Sequence, residues 1–273
     1  MKRFLTIMAV AAISVSAMAQ TPAEKKAATL LKSVEKSEAG LANPKKAATC
    51  EPWFKLAELY YTIAEAPVAS VYQGGNRNEI QLILKDEQCT TTEVVYRGTQ
   101  YIVDSYADKD LYYSADGLLQ FWLVTRPIME NALDKSLEKL LNAQRLDSNK
   151  AKNQAKYAEL NEKIHTAYHN TGLNYYMIEN TAMAQDYFTK SFGSTDNPIL
   201  DRIDTVGVYY AGLMASANGD KANAKDYFKK AIAAGYAADG AIYSDLAEIY
   251  HAEGDNETFQ MYLEEGFSRY PQN

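Results

Sequence analysis

Apolar residues three and four apart dominate the chain, and one arrangement of them returns. Trp53, Leu56-Ala57 and Tyr60 set the pattern: bulky, then apolar-small, then aromatic. Tyr168, Thr171-Gly172 and Tyr175 repeat it, as do Tyr243, Leu246-Ala247 and Tyr250; Val208, Ala211-Gly212 and Ala215 repeat it with smaller residues. This spacing puts the named side chains on one face of a helix, with a small residue where a second helix can approach closely. The second helices repeat too. Ala184-Gln185-Asp186-Tyr187-Phe188-Thr189-Lys190 returns as Ala224-Lys225-Asp226-Tyr227-Phe228-Lys229-Lys230, 40 residues on. Gly219-Asp220 and Gly254-Asp255 punctuate the helical patterns as tight turns. The last unit has Phe259 and Leu263 where the others have alanine and phenylalanine, which predicts a looser contact there.

The first unit breaks this rhythm. A helix over 51–65 stops before Pro67, and its partner is expected only over 127–147, opening on Pro127 in the first turn. Between them the period falls from 3.6 to 2. Thr92–Tyr96 and Gln100–Tyr106 flank Arg97-Gly98-Thr99, and Asp110–Tyr113 and Leu118–Thr125 flank Ser114-Ala115-Asp116-Gly117. The expectation is an antiparallel meander inserted over about 66–126. Strict alternation would send Leu119, Phe121 and Leu123 to one face, and Leu118, Trp122 and Val124 to the other. One face should pack on the helices, leaving Trp122 as a partner surface. A lead helix over 22–39, with Ala27, Leu30, Leu31 and Val34 on one side, would cap the first unit within a 20–49 segment. The first unit then occupies 50–149, and three further helix pairs occupy 150–273.

Residues 1–19 read as a secretory signal peptide. Lys2 and Arg3 precede an apolar stretch, Phe4–Val15, which ends near the cleavage site Ala17-Met18-Ala19. With no cysteine after that site for a lipid anchor, the expected location is the periplasm or outside the cell. That compartment permits a disulfide between Cys50 and Cys89, and the sequence leaves open whether they pair or stay as two thiols. Hydrophobic residues make up 47% of the chain, enough for a core, and the net charge of −7 disfavours a nucleic-acid binder.

The repeated residues resemble the tetratricopeptide-repeat (TPR) family, whose units carry W-x2-L-G-x2-Y, then A-x3-F, then proline. Trp53, Leu56 and Tyr60 match the first part, with Ala57 in place of glycine, and Pro271 falls where the closing proline belongs. The likeness covers about 50–66 and 150–273. The Ala19-Gln20 site and Asn43-Pro44-Lys45-Lys46-Ala47 also resemble exported TPR proteins of Bacteroidetes-type bacteria. The resemblance implies an all-α solenoid of helix pairs, here with a small β insertion in the first repeat, and a concave groove that binds peptides. The groove would be lined by the stripe one residue beyond each packing face: Phe54, Glu58, Tyr61; His169, Leu173, Tyr176; Tyr209, Leu213, Ser216; and Ser244, Glu248, His251. The alternative for this stripe is ordinary amphipathic surface. The stripe contains no lysine or arginine, so it lacks a basic clamp for a terminal carboxylate.

Catalytic signatures are missing: there is no nucleophile elbow, Walker loop, dinucleotide fingerprint or CxxC. His165 and His169 share a helical face and could hold a metal, but no third ligand is implied, and a solvated or groove-lining pair is preferred. His251 suits a helix C-terminus. Asp204-Thr205-Val206 resembles a short glycosylation site, with a helix cap as the preferred reading. The expectation is a non-enzymatic scaffold for a protein or peptide, with no cofactor and no metal. Binding of a glycan or peptidoglycan fragment is the alternative, and an enzyme of unknown class the third reading.

Overall fold

The computed structural model describes residues 21–195 and 203–272. The leader assigned to 1–19 lies outside them. The described chain is mostly helical, with one small antiparallel sheet. The lead helix α1 (Pro22–Gly40) begins on a capping box, in which Thr21 and Glu24 each satisfy the other's backbone N–H. A short α2 (Pro44–Ala47) follows, then α3 (Cys50–Glu65). Val34 of α1 packs with Leu56, Tyr60 and Ile63 of α3, so α1 covers the first unit as its amphipathic pattern predicts. The Tyr60 hydroxyl donates to Glu38 and ties the two helices together.

The 66–126 stretch holds a helix that the alternating pattern did not reveal, α4 (Arg77–Ile83), ahead of four strands: β1 (Thr90–Tyr96), β2 (Thr99–Ser105), β3 (Lys109–Tyr113) and β4 (Leu119–Val124). They pair as an antiparallel meander in the order β1-β2-β3-β4. Arg97 and Gly98 form the β1–β2 turn with φ of 51° and 76°, the left-handed pair that a two-residue hairpin needs.

The β3–β4 pairing departs from strict alternation. Tyr112 opposes Phe121 but Tyr113 opposes Leu119, so Gln120 is an extra residue in β4. This bulge turns Leu119 to the face opposite Phe121 and Leu123. Leu119 packs with Val68, Ile80, Leu84 and Leu111, and Trp122 and Val124 lie against the same cluster. Phe121 and Leu123 join Tyr101, Val103 and Tyr112 on the other face, against Tyr175, Met177 and Ile178. Both faces are therefore covered within the chain, one by α4 and the loop after α3, the other by the end of α6. A buried ion network locks α4 to the sheet. Arg77 donates to both oxygens of Asp104 (2.8 and 2.6 Å), which also accepts from Thr91 and Gln81. Lys109, itself buried, reaches Glu87 at 2.6 Å.

The helices resume later than expected. Helix α5 (Ala132–Leu146) starts behind Asn131, which is left-handed at φ 56°. Pro127 opens no helix, because Ile128 and Met129 pack as irregular chain on the α1–α3 cluster. Helix α5 nevertheless packs along α3, across the insertion. Three more pairs follow: α6 (Lys150–Met177) with α7 (Thr181–Thr195), α8 (Thr205–Ala217) with α9 (Lys221–Ala233), and α10 (Ala241–Ala252) with α11 (Asn256–Arg269).

Their turns share one geometry. Gly219 and Gly254 take φ of 80° and 81°, and Asp220 and Asp255 then cap the next helix. The Asp220 and Asp255 N–H groups reach back five residues, to Ala215 and Tyr250. Asn180 does the same to Tyr175 and caps α7 through the Met183 N–H, with Glu179 at φ 62° in the glycine position. Glu179-Asn180 is thus a third copy of the Gly-Asp turn, hidden by its side chains. Within the pairs, Gly172 lies under Phe188 and Gly212 under Phe228. In the last pair the close approach has moved rather than loosened, with Gly266 of α11 under Tyr243 of α10. Leu263 is left exposed.

Candidate interaction site

The stripe of predicted groove residues divides in the folded chain. Phe54 is a correction: it is buried, edge-on to Tyr157 at 5.6 Å, and fills the contact between α3 and the long α6. Tyr61 is half-buried and lines a small cleft with Glu65 and Glu162. Glu58, Glu248, Ser216 and Ser244 are exposed, and so is His251, which ends α10 with its ring 4.7 Å from that of Phe259. Leu173, Tyr176, Tyr209 and Leu213 are half-buried against the core of the last three pairs. Side chains one step off a packing face therefore serve largely as packing between neighbouring pairs.

His169 is also committed. Its Nδ1 lies 2.9 Å from Asp204, which accepts as well from the Ser191 hydroxyl and from the Gly207 N–H. Burial opposes ionisation of Asp204, but these hydrogen bonds outweigh it and bring the carboxyl down to about 2. Asp204 is the N-cap of α8, the preferred reading of Asp204-Thr205-Val206. His165 turns its Nδ1 to the Ser191 carbonyl at 3.2 Å and lies 3.9 Å from the same Asp204 oxygen, so the closer contact to Asp204 is that of His169. Among the described residues no group of three or more His, Cys, Asp or Glu side chains is placed to hold a metal. Cys50 and Cys89 are separate thiols, in the α3–α6 contact and beside the sheet.

The stripe does contribute to one continuous surface. Tyr176 of α6 meets Tyr210 of α8 edge-on at 5.2 Å. Tyr210 meets Tyr209 at 5.8 Å, and Tyr209 meets Tyr236, in the loop after α9, at 5.5 Å. All four rings are half-buried against the core of the last three pairs, Tyr210 stacked on Phe188 and Tyr209 tilted against Phe228. At one end the hairpin turn of the sheet lays Arg97 over Tyr176, 4.2 Å from the ring centroid, while the Arg97 N–H donates to Glu179. At the other end the Tyr209 hydroxyl donates to Asp245 at 3.0 Å. Burial raises the Asp245 carboxyl above its usual range despite that bond, and Glu248 adds to the rise.

Sequence reasoning reached Tyr176 and Tyr209 but missed Arg97, Tyr210, Tyr236 and Asp245. The adjacent Tyr209-Tyr210 pair was a visible signal. Arg97 had none, since it lies 79 residues from Tyr176 in sequence and reaches it only because the sheet docks on α6. The absence of a cation from the stripe is thus made good by the insertion. Trp122 is half-buried and lines a cleft of about 320 Å3 between the sheet and the helices.

No family model and no curated protein matches the chain. Among solved structures it is similar to a crystal structure of MamA, with 15% identity over 50% of this chain and 81% of that one, at a TM-score of 0.33. A MamA AMB-1 structure gives 19% identity over 52% and 67%, at 0.33. BtubC (BKLC) from P. vanneervenii gives 13% identity over 90% of both chains, at 0.32. Likenesses at these scores define neither family nor function. No described helix is long and apolar enough to cross a membrane.

Proposed function

We propose that this chain is a non-catalytic scaffold of TPR-like helix pairs, exported to the periplasm or beyond, which binds a protein or peptide partner along the tyrosine strip. The strip carries the reading. Four tyrosines, each half-buried and braced from below, present rigid amphipathic faces, the kind of side chain that dominates interface energetics. Arg97 at one end and Asp245 with Glu248 at the other give the strip a polarity. An extended segment with an acidic group toward Arg97 and a basic or neutral group toward Asp245 fits it in one direction only.

The test begins with affinity capture from periplasmic extract and identification of what is retained by mass spectrometry. The purified partner is then titrated against the parent chain and against Arg97→Glu, Tyr176→Ala and Tyr210→Ala, with circular dichroism as the fold control. The reading expects each variant to lose more than about fivefold in affinity, or about 1 kcal/mol. Unchanged affinity in all three would rule the strip out. A retained glycan that outcompetes every peptide would favour the sugar-binding alternative.

A further inference from the structure

The cleft beside Trp122 is a second concave feature, separate from the tyrosine strip. It opens between β4, the end of α3, the 125–131 segment, α6 and α7, and its volume of about 320 Å3 is at the small end of the range for ligand sites. Trp122 forms part of the wall. Tyr175 and Tyr187 form another part, stacked at 5.5 Å with 20° between their planes.

The charged groups of the cleft do not balance. Lys190 is the cation, and it is already engaged: its Nζ lies 3.2 Å from Asp134 and 3.1 Å from Asp186. Asp134 also accepts from the Tyr168 hydroxyl at 2.6 Å. Two carboxylates remain, Glu65 at the end of α3 and Glu130 in the crossing segment, and neither has a hydrogen bond or ion pair among the described residues. Glu65 is half-buried, and burial alone raises its carboxyl above the usual range, with no nearby cation to offset it. Withdrawing a carboxylate from water without a partner is unfavourable, and a cation brought to it recovers that loss. Aromatic faces beside carboxylates add a quadrupolar attraction for the same kind of guest.

We propose that this cleft binds an organic cation, an ammonium or guanidinium group on a short apolar stem. Glu65 and Glu130 face the charge, and Trp122, Tyr175 and Tyr187 enclose the stem. A free small amine and the basic side chain of a peptide share this chemistry, and the experiment has an arm for each.

The probes are n-butylammonium with n-butanol as its neutral counterpart, and the tripeptide Gly-Lys-Gly with its ε-acetylated form. Each is titrated into the full chain at constant ionic strength by ligand-observed NMR. The cation is expected to bind saturably, at least about tenfold more tightly than the alcohol, and Glu65→Gln should remove that preference while leaving alcohol binding unchanged. Glu130→Gln, at an exposed position that does not endanger the fold, should reduce the preference in the same direction. Stronger binding of the tripeptide, lost on acetylation, identifies a peptide side chain as the source; stronger binding of the free amine identifies a small molecule. The proposal is overturned if amine and alcohol bind alike, if both glutamine variants keep the parent's preference, or if the amine shows no saturable binding by about 10 mM.

Discussion

Gly212→Ala probes the close helix approach on which the repeat depends. A Cβ at this position would sit 2.6 Å from both Cδ1 and Cε1 of Phe228, against ordinary carbon contacts of about 3.5–4.0 Å. The Phe228 ring is fully buried and lies 5.9 Å from that of Tyr209, so it cannot retreat without moving its neighbours. Overpacking of this kind costs about 1–3 kcal/mol, while replacing glycine in a helix returns at most about 1 kcal/mol. Two contacts at 2.6 Å put this site in the upper part of that range, about 2–3 kcal/mol, so the net expectation is a loss of about 1–2 kcal/mol, or about 2–8 °C in melting temperature for a chain of this size. Gly193→Ala is the control. It is exposed in α7 with nothing within 4 Å of its Cβ position, and should be neutral or stabilising by up to about 1 kcal/mol. Gly172, whose Cβ would stand 2.9–3.1 Å from Phe188, should fall between the two. Urea midpoints followed by circular dichroism measure all three. Phe228→Leu should cost less in the Gly212→Ala background than in the parent, because the clash is then relieved. A Gly212→Ala protein as stable as the parent would refute the close-approach argument.

Arg77→Ala should cost about 3–5 kcal/mol or detach α4, because it strands the fully buried Asp104; hydrogen exchange over 77–83 reads the detachment. Asp204 has its folded carboxyl depressed to about 2, so its contribution is complete above about pH 4 and is lost as pH falls through 2. Asp204→Asn should therefore be less stable at pH 7 but lose less stability between pH 4 and 2, as urea midpoints at each pH will show. Replacing 66–126 by a Gly/Ser linker should leave a cooperative helical protein, since α3 and α5 pack directly, but one with Tyr175, Met177 and Ile178 uncovered and raised dye binding to apolar surface. A chain that no longer unfolds cooperatively would make the sheet part of the core. Alkylation of the native chain without reductant should add two groups per molecule by mass, one each at Cys50 and Cys89.

Local chemistry alone determined much of this protein. Periodicity of 3.6 marked the helices and their buried faces, since Leu56, Ala211, Leu246 and their companions can be satisfied only on one side of a helix. Periodicity of 2 and the Arg97-Gly98 turn marked the meander, because a two-residue hairpin needs left-handed backbone, and the longer Ser114-Ala115-Asp116-Gly117 turn, with Gly117 at φ 79°, marked its second hairpin. What depended on the assembled structure was each fact about which surface remains free. The bulge at Gln120 reverses Leu119, and a two-residue period read along a single strand has no means of registering an extra residue opposite its neighbour. Phe54 and His169 share the spacing of Tyr176, yet one is buried by Tyr157 of another pair and one is held by Asp204, 35 residues away. Arg97 joins the tyrosine strip because the sheet docks on the end of α6. Spacing along one element fixes which residues share a face, whereas the partner of that face is chosen by packing between distant elements.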